Sequence, residues 1–241
     1  MDLLRSVAIV LMVVYHAAYD LTVYDGANLD LSGPAWSIVQ HGTASLFLGL
    51  VGISFAVAWD RSLRGRGRRA AVVRTLRRAG MVLAAGVLVS MATYIVDPQT
   101  YVRFGILQLI GISMLLLPLF VPLRELAAIV GLGVMALGPL AAQAPAASPL
   151  LLPFGAMPAG FESVDYFPIL PWFGVVLIGY AIGSYVYVRH RAARGTGLIG
   201  NPPAGLTWPG RHALPIYLVH QPVLLLLFAV LLGARFPGGQ L

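Results

Sequence analysis

The chain of 241 residues contains neither cysteine nor lysine. Without cysteine there is no disulfide framework, no thiolate metal site and no cysteine nucleophile, and the redox state of the compartment leaves no mark. Charge of either kind is scarce, at 10% of residues where a soluble domain carries about 25%. Acids are the rarer sign, nine against sixteen arginines. With 59% hydrophobic residues and a mean hydropathy of +0.83, the composition excludes a soluble enzyme and a disordered chain.

What is present is a series of apolar runs of about 18 to 24 residues, the length that crosses ~30 Å of hydrocarbon as a helix. Seven spans are expected, at 3–22, 36–59, 79–96, 103–121, 125–141, 168–188 and 212–234. A proline- and glycine-rich stretch at 145–160 is too apolar for an ordinary loop and too broken for a regular helix, so it is a candidate eighth, re-entrant piece. The expected fold class is all-α, a polytopic membrane helical bundle of seven or eight transmembrane helices forming one domain over 1–241, with no internal repeat. The opening MDLLRS has no net positive charge, and His16 and Asp20 interrupt what would be a signal peptide's apolar core, so the first span is read as retained.

The excess of arginine is positional. Residues 60–78 hold eight arginines and one acid, and Arg189, Arg191, Arg194 and Arg211 cluster before the last span. If these connections, the one at 122–125 and residue 1 are cytoplasmic, with the C-terminus outside, the inside collects 14 arginines and three acids (Asp2, Asp60 and Glu125), against two arginines and six acids elsewhere. The isoelectric point of 10.1 therefore reflects orientation, and no nucleic-acid partner is expected. Contact with anionic lipid explains the arginine-rich segment without any substrate.

An ionisable group inside hydrocarbon is costly unless paired or hydrated, so each one in a span is a candidate site residue. The first span has three: Arg5, His16 and Asp20. Eleven residues make three helical turns plus about 20°, which puts Arg5 and His16 on one face about 16 Å apart, with Asp20 one turn further along the stripe. A guanidinium can pair with phosphate, an imidazole can move a proton near neutral pH, and a carboxylate can orient the imidazole. That order suits a donor entering from the cytoplasm and an acceptor waiting outside. A structural explanation stays open for each: Arg5 can snorkel to headgroups, and Asp20 can lie just beyond the hydrocarbon.

His220, in LPIYLVHQPVL, is a second imidazole at depth that can share a site with His16 or simply bond a nearby carbonyl. His41 opens the second span, either facing an acceptor or merely wet, while His190 and His212 sit in or beside the basic connection as interfacial residues. Gln108 and the run DYFPILPWFG at 165–174, with Asp165 and Trp172, supply polar and aromatic atoms on the outer half. Pro168 and Pro171 break regular helix there, where a cavity mouth is expected. The glycines at 49, 52, 174, 179 and 183 are read as helix-packing positions. No metal site is expected.

Five segments, DLLRSVAIVLMVVYHAAYDL, LFLGLVGIS, FGILQLIGIS, DYFPILPWFGVVLIGYAIG and PGRHALPIYLVHQP, occur in an order that resembles bacterial members of the heparan-alpha-glucosaminide N-acetyltransferase family. The Arg-x10-His pattern of Arg5 and His16 is also similar to the first-helix signature of the wider acyltransferase-3 type of membrane proteins. The resemblance implies an integral membrane acyltransferase of a bacterial inner (plasma) membrane, N-terminus cytoplasmic. It would move an acetyl or small acyl group from acetyl-CoA to a hydroxyl or amine acceptor, a saccharide or another small molecule. It implies a donor-side place for Arg5 and a catalytic-core place for His16, with Asp20, His220 and the DYFPILPW segment lining the same interior. Taken with the residues' own chemistry, the candidates are His16, Asp20, His220 and His41 for catalysis, Arg5, Arg211 and Arg78 for the donor, and Gln108, Asp165 and Trp172 for the acceptor. Two positions depart from the family. Many bacterial relatives carry histidine where this chain has Gln108, and the lysosomal members carry asparagine at the place of His16 with a catalytic histidine further on, to which His41 is a loose counterpart. The alternative from another class is a transporter or permease that uses the same buried groups as a proton or substrate relay. Besides membrane lipid, a partner copy in an oligomer stays open.

Overall fold

The computed structural model describes residues 1–24, 30–31, 33–144, 148–189 and 203–232. Among them every extended element is a helix, and the only strand-like pairing is an isolated parallel bridge between Phe104 and Tyr166. Five helical stretches are long and apolar enough to cross a membrane: Asp2–Thr22, Pro34–Val96, Ile106–Gln143, Ile169–Arg189 and Ala213–Leu231.

The seven expected spans map onto these five helical stretches of the described residues because two connections are not loops. Helix α1 covers Asp2–Tyr24, and α2 runs 63 residues, Pro34–Val96, straight through the arginine-rich segment. Arginine and alanine are strong helix formers, and Asp60 and Arg64 pair one turn apart at 2.5 Å, so the segment has local reasons to stay helical. Only Gly67 departs, at φ 79° and ψ 177°, a backbone that a residue without a Cβ adopts freely. Likewise α3, Ile106–Phe120, passes through a 3₁₀ turn, Val121–Leu126, into α4, Ala127–Ala136, and α5, Gly138–Gln143. The break there is Arg124, at φ 50°. In place of the candidate eighth piece stands a 3₁₀ turn, Pro149–Phe154, closed by Gly155 at φ 104°. Helix α6 is Ile169–Gly183, extended by a π-helical turn, Ser184–Arg189, and α7 and α8 are Ala204–Arg211 and Ala213–Leu232.

The chain divides into two compact units, residues 1–47 with 198–241, and residues 48–197. In the first, α1 packs on α7 and α8. A Cβ at Gly210 would strike the Asp2 carbonyl oxygen, so glycine lets α7 lie directly on the first turn of α1. The Gly210 N–H donates to Ser6 Oγ at 2.9 Å, and that hydroxyl donates to the Asp2 carbonyl at 3.0 Å. Much of α8 stays apolar and exposed, including Val223, Leu226, Val230 and Leu231, as a lipid-facing surface would be.

In the second unit α6 is central, with Val176 and Leu177 fully buried. Four of the five glycines do the packing expected of them, Gly49 being the exception, since a Cβ there meets nothing within 4 Å. A Cβ at Gly52 would meet the Val176 carbonyl oxygen, one at Gly179 the Gly49 carbonyl, and one at Gly174 the Gly131 carbonyl. Backbone thus lies on backbone where α6 crosses α2 and α4, the close approach that small residues permit between apolar helices.

Candidate functional site

The first unit assembles three of the four expected catalytic residues. His16 and Asp20 come from α1, and His220 from α8. The two imidazole rings stand edge to face with centroids 4.8 Å apart. The carbonyl oxygens that bond them can only accept, so each Nδ1 carries a hydrogen: His16 Nδ1 donates to Met12 O at 2.9 Å, and His220 Nδ1 donates to Tyr217 O at 2.6 Å. Both neutral rings therefore present Nε2 as the basic atom. His220 Nε2 is buried with no hydrogen-bond partner among the described residues. The bland reading of His220 thus accounts for one ring nitrogen and leaves the other unused.

Asp20 is buried within the protein, 1% exposed. Its partner was not foreseen. The side-chain amide of Gln221 donates from Nε2 to both carboxylate oxygens, at 2.7 and 3.0 Å. The ring orientation expected from Asp20 is supplied to His16 by the Met12 carbonyl instead, because a helical histidine can reach the carbonyl one turn back. Gln221 immediately follows His220, and that adjacency was its only sequence signal.

At the other end of α1, Arg5 and Arg211 meet on a carboxylate. Asp2 Oδ1 lies 3.0 Å from Arg5 NH1, and Asp2 Oδ2 lies 3.5 Å from the Arg211 Nε. Two guanidinium groups around one carboxylate leave net positive charge at this end of the helix. Both expected donor-side arginines of the first unit are therefore in one cluster, which the distance of 206 positions along the chain concealed.

The remaining candidates are more dispersed. His41 is exposed on the first part of α2, where its Nδ1 donates to Ser37 O at 2.8 Å. His212 is exposed and donates from Nδ1 to Trp208 O at 3.0 Å. His190, Arg191 and Arg194 lie outside the described residues.

In the second unit Arg78 is exposed on α2. Gln108 has its whole amide engaged: Nε2 donates to Gly86 O at 3.0 Å and to Ser90 Oγ at 2.7 Å, and Oε1 accepts from Gly105 N at 3.1 Å. It ties α3 to α2. Asp165 accepts the Ile106 N–H on Oδ2 at 3.1 Å, satisfying an orphan donor at the start of α3. Trp172 packs its ring on Phe167 at 5.0 Å.

These features define a class: a helical protein of the membrane with a paired-imidazole centre backed by a buried carboxylate. A sequence profile of the family described as heparan-alpha-glucosaminide N-acetyltransferase, catalytic, matches residues 1–222, and the chain belongs to that family. Neither a curated protein nor a solved structure matches it. Membership implies an acetyltransferase, and with the apolar helices it makes the chain an integral membrane protein.

Proposed function

We propose that the protein transfers an acetyl group from cytoplasmic acetyl-CoA to a hydroxyl or amine acceptor, a sugar, on the outer side of the membrane. The observation that carries this reading is the pair His16 and His220, 4.8 Å apart, each with Nδ1 committed to a backbone carbonyl and Nε2 left for chemistry. Family membership supplies the reaction class.

In the direct form of the reaction, His16 Nε2 takes the proton from the acceptor as its oxygen or nitrogen attacks the thioester carbonyl. The C–S bond breaks, and the imidazolium returns the proton to the departing thiolate. In the covalent form Nε2 itself attacks, the thiolate leaves, and the acyl-imidazole passes its acetyl group to the acceptor in a second step. Asp20, held by Gln221, lies one helical turn from His16 on the same stripe of α1. Arg5 and Arg211 suit the phosphates of coenzyme A, since guanidinium groups pair well with phosphate. The stretch from Arg5 to His16, about 16 Å, is one that a long donor can bridge.

The membrane arrangement follows from helix length. At 1.5 Å per residue α2 would extend about 95 Å, some three bilayer cores, so its break at Gly67 divides two crossings. The break at Arg124 divides the stretch Ile106–Gln143 in the same way. With seven crossings, residue 1 and the arginine-rich segment share one side, and the arginine bias favours the cytoplasm for it. Reporter fusions after residues 70 and 241 test this: a cytoplasmic signal at both would overturn it.

The reaction is tested by adding acetyl-CoA to the purified protein and following thermal stability and release of free coenzyme A. Stabilisation with slow release supports the transferase. A protein that binds no acetyl-CoA and releases no thiol is not one, and the relay of a transporter would then be the better reading.

A further inference from the structure

The second unit contains a positive charge that no described acid neutralises. Arg103 lies in the connection between α2 and α3, and its guanidinium sits over two aromatic rings, 5.1 Å from the Tyr101 centroid and 5.2 Å from that of Phe161. Of its five N–H donors only one is used by a described residue, NH2 to Gln99 O at 3.1 Å. Nε is buried with no hydrogen-bond partner among the described residues. Such a group is expensive to leave without an acceptor in a site partly closed to water.

Acids are near in sequence, yet among the described residues none pairs with it. Asp97 spends its carboxylate on the Gln99 N–H at 2.9 Å and the Thr100 hydroxyl at 2.7 Å, bonds that hold its carboxyl below its ordinary range, the Thr100 hydroxyl contributing most. Asp165 is spent on the start of α3. Glu162 is exposed and forms no ion pair with Arg103 within 4.0 Å.

The surroundings are stiff. Val164 N–H donates to Thr100 O at 2.7 Å, Phe167 N–H to Phe104 O at 2.8 Å, and Val102 N–H to Thr93 Oγ1 at 3.1 Å. Ser163 Oγ joins both strips, its single hydroxyl hydrogen lying within reach of the Tyr101 and Asp165 carbonyl oxygens, each 3.0 Å away. A guanidinium fixed between two rings, with in-plane donors left over, is pre-organised for a planar or tetrahedral oxyanion. From Arg78 to Asp97 the chain rises about 28 Å as helix, one hydrocarbon thickness, so the group stands at the membrane surface away from the arginine-rich segment.

We propose that Arg103, clamped by Tyr101 and Phe161, is a binding site for an oxyanion, the phosphate or carboxylate of a ligand met at the membrane surface. Either an acidic water-soluble molecule or the headgroup of an anionic lipid offers that chemistry. The site does not depend on acetyl transfer, and its test reads binding alone.

Titration calorimetry with inorganic phosphate compares the full chain in detergent with Arg103→Gln, with Arg103→Lys, and with Arg66→Gln as a control that removes one exposed arginine elsewhere. Arg103→Gln should weaken phosphate binding by roughly tenfold or more, equivalent to about 1.4 kcal/mol, while Arg66→Gln leaves it intact. Arg103→Lys should fall between, because lysine keeps the charge and loses the fork. If Arg103→Gln does not fold, Tyr101→Leu keeps the guanidinium, opens the clamp and should weaken binding several-fold. A parallel comparison of thermal stability in phosphatidylglycerol and phosphatidylcholine nanodiscs separates the sources. Phosphate binding without a lipid effect assigns a soluble acid, and an Arg103-dependent lipid effect assigns a headgroup. Equal losses in Arg103→Gln and Arg66→Gln, or binding of neither probe by the unaltered chain, overturn the proposal.

Discussion

Gln221 on α8 donates from its amide nitrogen to both carboxylate oxygens of Asp20 on α1, across 201 positions of sequence. Asp20 is almost wholly enclosed, so this amide stands in for water. Leaving a buried carboxylate without its donor costs about 1–3 kcal/mol or more. Gln221→Leu should therefore lower the unfolding temperature by several degrees. Asp20→Asn, which still offers Gln221 a carbonyl acceptor, should cost less. Differential scanning fluorimetry of the detergent-purified variants decides between them, and equal losses would mean that the carboxylate has no special dependence on the amide.

The two ends of α1 should fail differently. Phosphate contacts made equally in ground and transition states affect binding, whereas a group that moves a proton acts on the barrier, typically by 10²–10⁴-fold. Arg5→Ala is expected to weaken acetyl-CoA binding yet leave appreciable turnover at saturating donor. His16→Ala is expected to keep donor binding and lose transfer. Calorimetry and coenzyme A release on the same preparations read both quantities. Near-normal turnover in His16→Ala beside a dead His220→Ala would move the base to the second ring; activity in both would end the histidine mechanism.

Asp2 occupies the two arginines proposed to hold the donor's phosphates. Its carboxylate contacts Arg5 and Arg211 together, so any incoming phosphate competes with it. Asp2→Asn should tighten acetyl-CoA binding several-fold, with the gain largest at low ionic strength because exposed charges are screened by salt. A weaker affinity in that variant would show that Asp2 organises the arginines rather than competing for them.

Glycine spacing makes a prediction that neighbouring positions distinguish. A methyl group at Gly52 or Gly179 meets backbone of the facing helix, which cannot rotate away, whereas one at Gly49 meets nothing within 4 Å. Overpacking of this kind costs about 1–3 kcal/mol. Gly52→Ala and Gly179→Ala should unfold at distinctly lower temperature than Gly49→Ala, which should behave as the parent does. If all three unfold together, the helices are not in backbone contact at this crossing.

Local composition determined much of this protein. Runs of apolar residues with almost no charge can only be helices satisfying their own backbone in lipid, and the stripe of Arg5, His16 and Asp20 follows from helical period alone. The packing glycines were legible for the same reason, since small residues in an apolar helix mark close approach. Helix continuity was not legible: the arginine-rich segment read as a loop by charge, yet its residues favour helix, and only Gly67 interrupts it. Nor could the sequence say which partners the polar groups take. The role of orienting His16 passed from Asp20 to the Met12 carbonyl, Asp20 went to Gln221, and Gln108 was consumed in holding α3 to α2. Hydrogen bonds are short and directional, so a partner is chosen by the tertiary packing of α1 against α8 and of α2 against α3, while burial of apolar surface, being non-directional, is already written in the order of residue types.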